Sequence, residues 1–109
     1  MENLGSVRIS PSVLATIACL TALEVPGVAR MSDDLVGGVN RLFGRQGSTT
    51  GAKVQIREGS VLVDLRVVAR SGYSLLEVGS RIQEQVAEAL SRMVGMPLAE
   101  VNVFIRDVE

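Results

Sequence analysis

From Val61 to Ala69 the chain alternates: Val61, Val63, Leu65, Val67 and Ala69 fall on one side, and Asp64, Arg66 and, one step beyond the run, Arg70 on the other. Successive side chains of a strand point to opposite faces, so this period of two specifies an extended segment with one face buried. A few residues later the period changes. Ser74-Leu75-Leu76-Glu77 is a capping box, in which a serine and a glutamate three residues on satisfy the first free amides of a helix. Leu75, Val78, Ile82, Val86, Ala89 and Met93 then recur at helical spacing and predict one buried stripe, while Glu77–Arg81 and Glu88–Arg92 add favourable i,i+4 pairs. Gly95 and Pro97 end the helix. From about Glu100 to Val108 a further strand sets Val101, Val103 and Ile105 against Asn102, Phe104 and Arg106. A strand, an amphipathic helix and a strand in this order bury their apolar sides by stacking the helix on a sheet.

The rest of the chain extends this unit. Val7 and Ile9 alternate with Ser6 and Arg8 as a short first strand. Ser10 is an N-cap and Pro11 a first helical residue, opening a helix that runs to about Leu23. Its expected buried stripe is Val13, Ile17 and Leu20, widened by Leu14, Ala18 and Cys19. Glu24-Val25-Pro26-Gly27 stops it, and Val28 to Met31 reads as a second short strand. Ser32-Asp33-Asp34 opens a short helix carrying Leu35, Val39 and Leu42 beside Val36 and Phe43, weakened at Gly37-Gly38 by about 1 kcal/mol per glycine. Residues 44–52 read as a mobile glycine-rich loop. Lys53 to Glu58 alternates with Val54 and Ile56 on the inner side, and Gly59-Ser60 reads as a two-residue hairpin turn. The expectation is a two-layer α/β (α+β) sandwich: a mixed sheet with two main helices on one face, in the order β-α-β-(α)-β-β-α-β, forming one domain over residues 1–109.

Composition narrows the function. The 109 residues hold no His or Trp, one Tyr and two Phe, so the core is aliphatic. Absence of His removes the usual acid/base of neutral pH, His-dependent nucleophiles and most zinc sites. A net charge of −1 provides no global attraction for nucleic acid or anionic lipid. The single Cys19 cannot form an internal disulfide, and with no nearby cation it reads as a small core residue in a cytoplasmic protein. The uncharged run Ile9 to Leu23, with Leu14-Ala-Thr-Ile-Ala-Cys19, faintly resembles a lipoprotein cleavage site. Arg8 is offset by Glu2, Pro11 interrupts the run, and it falls short of the roughly 20 residues of a spanning helix, so a buried helix is the better reading.

Motif by motif, chemistry is weak. Gly47-Ser-Thr-Thr-Gly-Ala-Lys53 lacks the Gly-Lys-Ser/Thr ending of a phosphate loop and precedes a strand rather than a helix. Gly44-Arg45-Gln46-Gly47 is a GxxG of the kind that clamps RNA backbones in KH domains, but there it joins two helices. Asp33-Asp34 makes at best a weak Mg²⁺ site and is explained by helix capping, and Tyr73 reads as a packing or turn residue. No catalytic residue, metal or cofactor is expected. The outward sheet face is richer: Lys53, Arg57, Arg66, Arg70 and Arg106 surround Leu62, Val68 and Phe104, with Asp64 among them. Arginine, aliphatic side chains and one aromatic match protein interfaces. One Phe is fewer than the two or three stacking aromatics of an RNA-binding sheet. The partner-binding candidates are therefore Arg57, Leu62, Arg66, Val68, Arg70, Phe104 and Arg106. The competing readings are a solvated face, or RNA binding through the same basic residues and Gly44 to Gly47.

In order and spacing, several stretches resemble the bacterial alkaline-shock or envelope-stress response protein family. They are Gly5-Ser-Val-Arg-Ile-Ser-Pro-Ser-Val13 with Ile17-Ala18, Glu24-Val-Pro-Gly-Val28, Ala52-Lys-Val-Gln-Ile56, Val63-Asp-Leu-Arg-Val67, Gly72-Tyr-Ser-Leu-Leu-Glu-Val78, Ile82-Gln83 with Val86, and Val101-Asn-Val103 with Ile105. Val39-Asn-Arg-Leu-Phe-Gly44 is similar to the subgroup with a short amphipathic middle segment. The resemblance implies a non-enzymatic, cytoplasmic protein of mostly Gram-positive-type bacteria that serves envelope homeostasis. It also implies self-association or protein partners, either membrane-anchored ones that hold the protein at the membrane or proteins of fatty-acid synthesis. It carries over no catalytic residue. The chain departs from the family pattern at Arg70-Ser71, where a hydrophobic or aromatic residue often precedes the glycine.

Overall fold

The computed structural model describes residues 4–32, 48–49, 51–95 and 100–109. They form helices α1 (Pro11–Leu23) and α2 (Leu75–Val94) and strands β1 (Val28–Met31), β2 (Ser48–Thr49), β3 (Ala52–Arg57), β4 (Ser60–Ala69) and β5 (Glu100–Val108). The long alternating strand β4 is the centre of the sheet. Along one edge β5 runs parallel to it, from Leu62↔Glu100 to Ala69↔Val108. A strand has two edges, so β3 (Arg57↔Ser60 to Ala52↔Leu65) and β1 (Met31↔Val67 to Val28↔Ala69), both antiparallel, share the other edge end to end. The two-residue β2 pairs outside β3, Thr49 opposite Ala52.

All five expected inward residues of β4 are buried. Over them lie Leu14, Ala15, Ala18 and Ala22 of α1 and Val78, Ile82, Val86 and Leu90 of α2, so both helices cover the same face of a mixed sheet, as the patterns predict. The α2 boundaries follow from its caps. Glu77 N donates to Ser74 Oγ at 3.3 Å, Gly95 N donates to Ser91 O at 2.9 Å from a left-handed conformation, and Arg92 meets Glu88 at 2.9 Å.

Several expectations change. Residues 4–10 carry no strand, and Leu4 and Val7 are 94% and 92% exposed: alternation over four residues specifies a face without specifying a partner. In α1 the buried face is Leu14, Ala15, Ala18 and Ala22, while Val13 and Leu20 are exposed and Ile17 and Cys19 lie at the margin. This helix is apolar on nearly every side, so periodicity cannot choose its face; the sheet selects the alanines, whose small side chains let the helix approach closely. In α2, Leu90 joins the stripe, whereas Leu75 and Met93 extend past the two ends of the core and are exposed. The hairpin turn is Glu58-Gly59, one residue earlier than expected, with φ of +49° and +80°. Positive φ at both central residues suits a type I′ turn, whose twist matches that of the flanking strands.

Ser32 is buried beside β1 and its N–H donates to Arg66 O at 2.8 Å. The rest of the expected second helix, with Asp33-Asp34, and the loop residues Gly44, Arg45, Gln46 and Gly47 lie outside the described residues. Of the segment read as a glycine-rich loop, Ser48–Thr49 form β2 and Ala52 opens β3.

Candidate functional site

The register of the sheet identifies which side chains share the face opposite α1 and α2, because residues paired across strands point the same way. In order along β4, Arg57 lies opposite Ser60; Gln55, Leu62 and Glu100 form a row; Lys53, Asp64 and Asn102 the next; then Arg66 and Phe104; then Arg30, Val68 and Asp107. Phe104 is 47% exposed with the half-buried Arg66 beside it, and Leu62, also half-buried, lies two rows further along β4. Asn102 Nδ2 donates to Asp64 Oδ1 at 3.0 Å, and Arg57 Nη2 to Gln55 Oε1 at 3.4 Å.

This arrangement gathers Leu62, Arg66 and Phe104 but not the whole expected set. Val68 is on this side yet only 2% exposed, so it offers no surface to a partner. Arg57 sits at the hairpin end. Arg70 lies past the end of β4, with its N–H given to Gly27 O at 2.7 Å. Arg106 stands at a bulge, since Val67 pairs with Ile105 and Val68 with Asp107. Reading the sequence also omitted Arg30, Glu100, Asp107 and Glu109. Arg30 Nε reaches Glu109 Oε2 at 3.0 Å across the end of the face. The basic residues are therefore interleaved with acids, without the continuous positive stripe of a nucleic-acid surface, and this distribution gives the RNA reading no support. An extra residue at the bulge shifts the facing of everything after Ile105, and simple alternation contains no signal for it.

One end of the sheet was missed as well. There the Glu24 to Val28 turn, the Arg70 to Ser74 turn and the C-terminal residue converge: Arg70 N donates to Gly27 O, Ser71 N to Glu109 O at 2.9 Å and Glu109 N to Ala69 O at 2.8 Å. Gly27 lies against Tyr73 and Val78 so closely that a Cβ there would stand 2.6 Å from Val78 Cγ2. Two of the family-like stretches, Glu24 to Val28 and Gly72 to Val78, thus form one built corner. Tyr73, Leu75 and Leu76 are exposed around it, Leu76 at 82%.

Among the described residues no three His, Cys, Asp or Glu side chains gather as a metal ligand set. Burial pushes the Cys19 thiol above its ordinary value, which disfavours the nucleophilic thiolate. No helix of the described residues is long and apolar enough to cross a membrane.

Comparison with known proteins agrees with the fold and supplies the family. The chain is 32% identical over 107 residues to the uncharacterized protein YqhY of Bacillus subtilis (strain 168), covering 98% of this chain and 79% of that protein. It is 28% identical over 108 residues to the uncharacterized protein Spy1535 of Streptococcus pyogenes serotype M6, covering 98% and 81% respectively. Among solved structures, a variant of MamM CTD superposes with a TM-score of 0.51 over 89% of this chain and 94% of that one at 12% identity, a likeness of fold alone. The model of the alkaline shock protein 23 family, described by a cell envelope-related function, matches residues 1–109, and the chain belongs to that family.

Proposed function

We propose that this chain is a non-catalytic protein-binding domain of cell-envelope homeostasis, which docks its partners on the sheet face opposite α1 and α2. The observation that carries the reading is Phe104, half-exposed on a face that neither α1 nor α2 covers and adjoined by Arg66. An aromatic anchor beside an arginine is the composition that concentrates binding energy at protein interfaces. The family resemblance names the partners to try first: a membrane-anchored protein that would hold this chain at the membrane from the cytoplasmic side, and the proteins of fatty-acid synthesis. No cofactor enters this reading.

Lys53, the only lysine in the sequence, lies on this same face and makes the test selective. Amine-reactive crosslinking in native cells, read out by mass spectrometry, should place partner peptides on Lys53, and Phe104→Ser should abolish those crosslinks while leaving the circular dichroism spectrum unchanged. Arg66→Glu is the second variant, with its fold checked in the same way because Arg66 is half-buried. Partners that remain crosslinked after Phe104→Ser would show that another surface binds them.

A further inference from the structure

The backbone of β5 has a bare stretch, and the sequence contains a segment that matches it. Arg66 N donates to Gly51 O at 2.7 Å and Arg66 O accepts from Ser32 N, so the even-numbered residues of β4 turn their peptide groups toward β3 and β1 and the odd-numbered ones toward β5. In a parallel pair the neighbouring residues that reach back are those one step out of phase. Before the bulge, Asn102 and Phe104 therefore turn toward β4, and Val101, Val103 and Ile105 turn away from the sheet. Gln83 Nε2 marks that outer edge by donating to Val101 O at 3.1 Å, and at the far end Val108 N donates to Asp107 Oδ1 at 2.8 Å. The edge is thus protected at both ends. Between them, the N–H and C=O groups of Val103 and Ile105 are paired with nothing among the described residues. Their side chains, on the core side, are only partly buried.

The segment Val7-Arg8-Ile9 has the alternation of a strand and leads into Ser10 with extended backbone, yet forms no strand, and its two apolar side chains are exposed. We propose that this segment of one copy of the chain adds as a short strand to the Val103–Ile105 edge of a second copy. The chemistry of the two stretches corresponds residue by residue. Laid in either direction, Val7 and Ile9 fall beside Val103 and Ile105 and extend the core face, while Arg8 falls beside Phe104 on the open face, where a guanidinium and an aromatic ring attract. The window between the two protected ends admits three residues, and three is the length of the match.

A second copy is required by reach. α1 packs on β1, β2, β3 and α2, whereas α2 packs on β5, so α2 stands between the start of α1 and the β5 edge. Only Ser10 separates Ile9 from Pro11, and two residue steps span at most about 7 Å. That is less than the roughly 10 Å diameter of the intervening helix, so a chain cannot lay this segment on its own β5.

The test uses the full chain in a Cys19→Ala background. Mixing a copy carrying Arg8→Cys with a copy carrying Phe104→Cys should yield an intermolecular disulfide under mild oxidation, since facing residues of paired strands lie within disulfide reach. Arg8→Cys mixed with Glu100→Cys should not, being displaced by four residues, about 13 Å. Light scattering of the wild type across concentrations should show association. The pair Val7→Ser and Ile9→Ser, which touches neither the core nor the Phe104 face, should raise the dissociation constant at least about tenfold. Val103→Pro removes an outward N–H that β4 does not use and should act likewise. A wild type that stays monomeric at every concentration, association that survives the Val7/Ile9 change, or equal crosslinking at Glu100 overturns the proposal. So does a disulfide at monomer mass in a chain carrying both cysteines, because it would show the segment reaching its own edge. Both readings use Phe104, and the Val7/Ile9 variant separates them: it removes self-association and leaves the Lys53 crosslinks to partners intact.

Discussion

Gly27→Ala is the sharpest perturbation of the corner where the two family-like turns meet. The residue has φ of +99°, and an added Cβ would meet Val78 Cγ2 at 2.6 Å and the Tyr73 ring at 3.0 Å. Two separate terms follow. Holding a side chain at this backbone conformation costs roughly 1–3 kcal/mol. Forcing a methyl into a filled site costs roughly a further 1–3 kcal/mol, because Val78 is a buried residue of α2 and cannot move away freely. Together they remove about 2–6 kcal/mol from a domain whose whole stability is expected near 5–15 kcal/mol. Gly72→Ala isolates the first term, since Gly72 has φ of +94° but nothing within 4 Å of an added Cβ. Urea unfolding of both variants should therefore show Gly27→Ala to be the worse by about 1–3 kcal/mol, the packing term alone. A double-mutant cycle closes the argument: Val78→Ala removes the clashing methyl, so the Gly27→Ala/Val78→Ala chain should be less damaged than the sum of the two single changes, with a coupling of about 0.5–3 kcal/mol. Equal losses for the two glycine variants, or strict additivity with Val78→Ala, would refute the claim that close approach of these turns holds the start of α2.

Two further outcomes follow from α1. Ala18→Leu should destabilise by about 1–3 kcal/mol in chemical denaturation, while Leu20→Ala on the exposed side should change stability by less than about 0.5 kcal/mol, the reverse of what a Val13/Ile17/Leu20 stripe implies. Cys19, its thiol pushed up by burial, should react with a thiol reagent more slowly in the native than in the unfolded chain. A raised folded value also means that the unfolded chain loses this proton first as pH rises. The contribution of Cys19 is thus fully present below the unfolded thiol pKa and declines from there through the folded pKa, which an alkaline pH series of Cys19→Ala against the wild type can detect.

Where the sequence was informative, a single physical constraint acted alone. Val61 to Ala69 had one core to face and one period, and all five predicted residues are buried. Ser10-Pro11 and Glu24 to Gly27 delimit α1, because a cap and a turn act through the local backbone. Ambiguity arose where two constraints competed. A helix apolar on both sides has no preferred face until the sheet imposes one, which is how Ala15 and Ala22 came to be buried while Leu20 was not. The candidate docking face was half readable for the same reason. Leu62, Arg66 and Phe104 follow from alternation, but Arg30 reaches this face through pairing with β4 across a long stretch of sequence, and Asp107 through a bulge. Neither pairing partner nor bulge has a local signature.

The divided edge of β4 carries a consequence that can be taken to an experiment. Opposite Arg66 an unbroken antiparallel strand would present one residue, giving its N–H to Arg66 O and accepting Arg66 N–H on its carbonyl. Here Ser32 supplies the N–H and Gly51 the carbonyl, so two residues far apart in sequence fill one place. On one side the pairing continues Met31↔Val67, and on the other Ala52↔Leu65, in register. Geometrically, residues 28–32 and 51–57 are one edge strand interrupted at a single position. Removing residues 33–51 and joining Ser32 to Ala52 should therefore leave the pairing with β4 unbroken from Arg57↔Ser60 to Val28↔Ala69, with Ser32 alone opposite Arg66. The chain-entropy cost of closing an excursion of that length, about 2–3 kcal/mol by the logarithmic rule, would no longer oppose folding and would offset the loss of β2 against β3 and α1. Such a chain should unfold cooperatively with a native-like circular dichroism spectrum, and amide exchange should show protection running continuously through Met31, Ser32, Ala52 and Lys53. A disordered product, or protection that stops at Met31 and resumes only beyond Lys53, would mean that Ser32 and Gly51 do not stand in for one residue and that the two halves of this edge are held by separate causes.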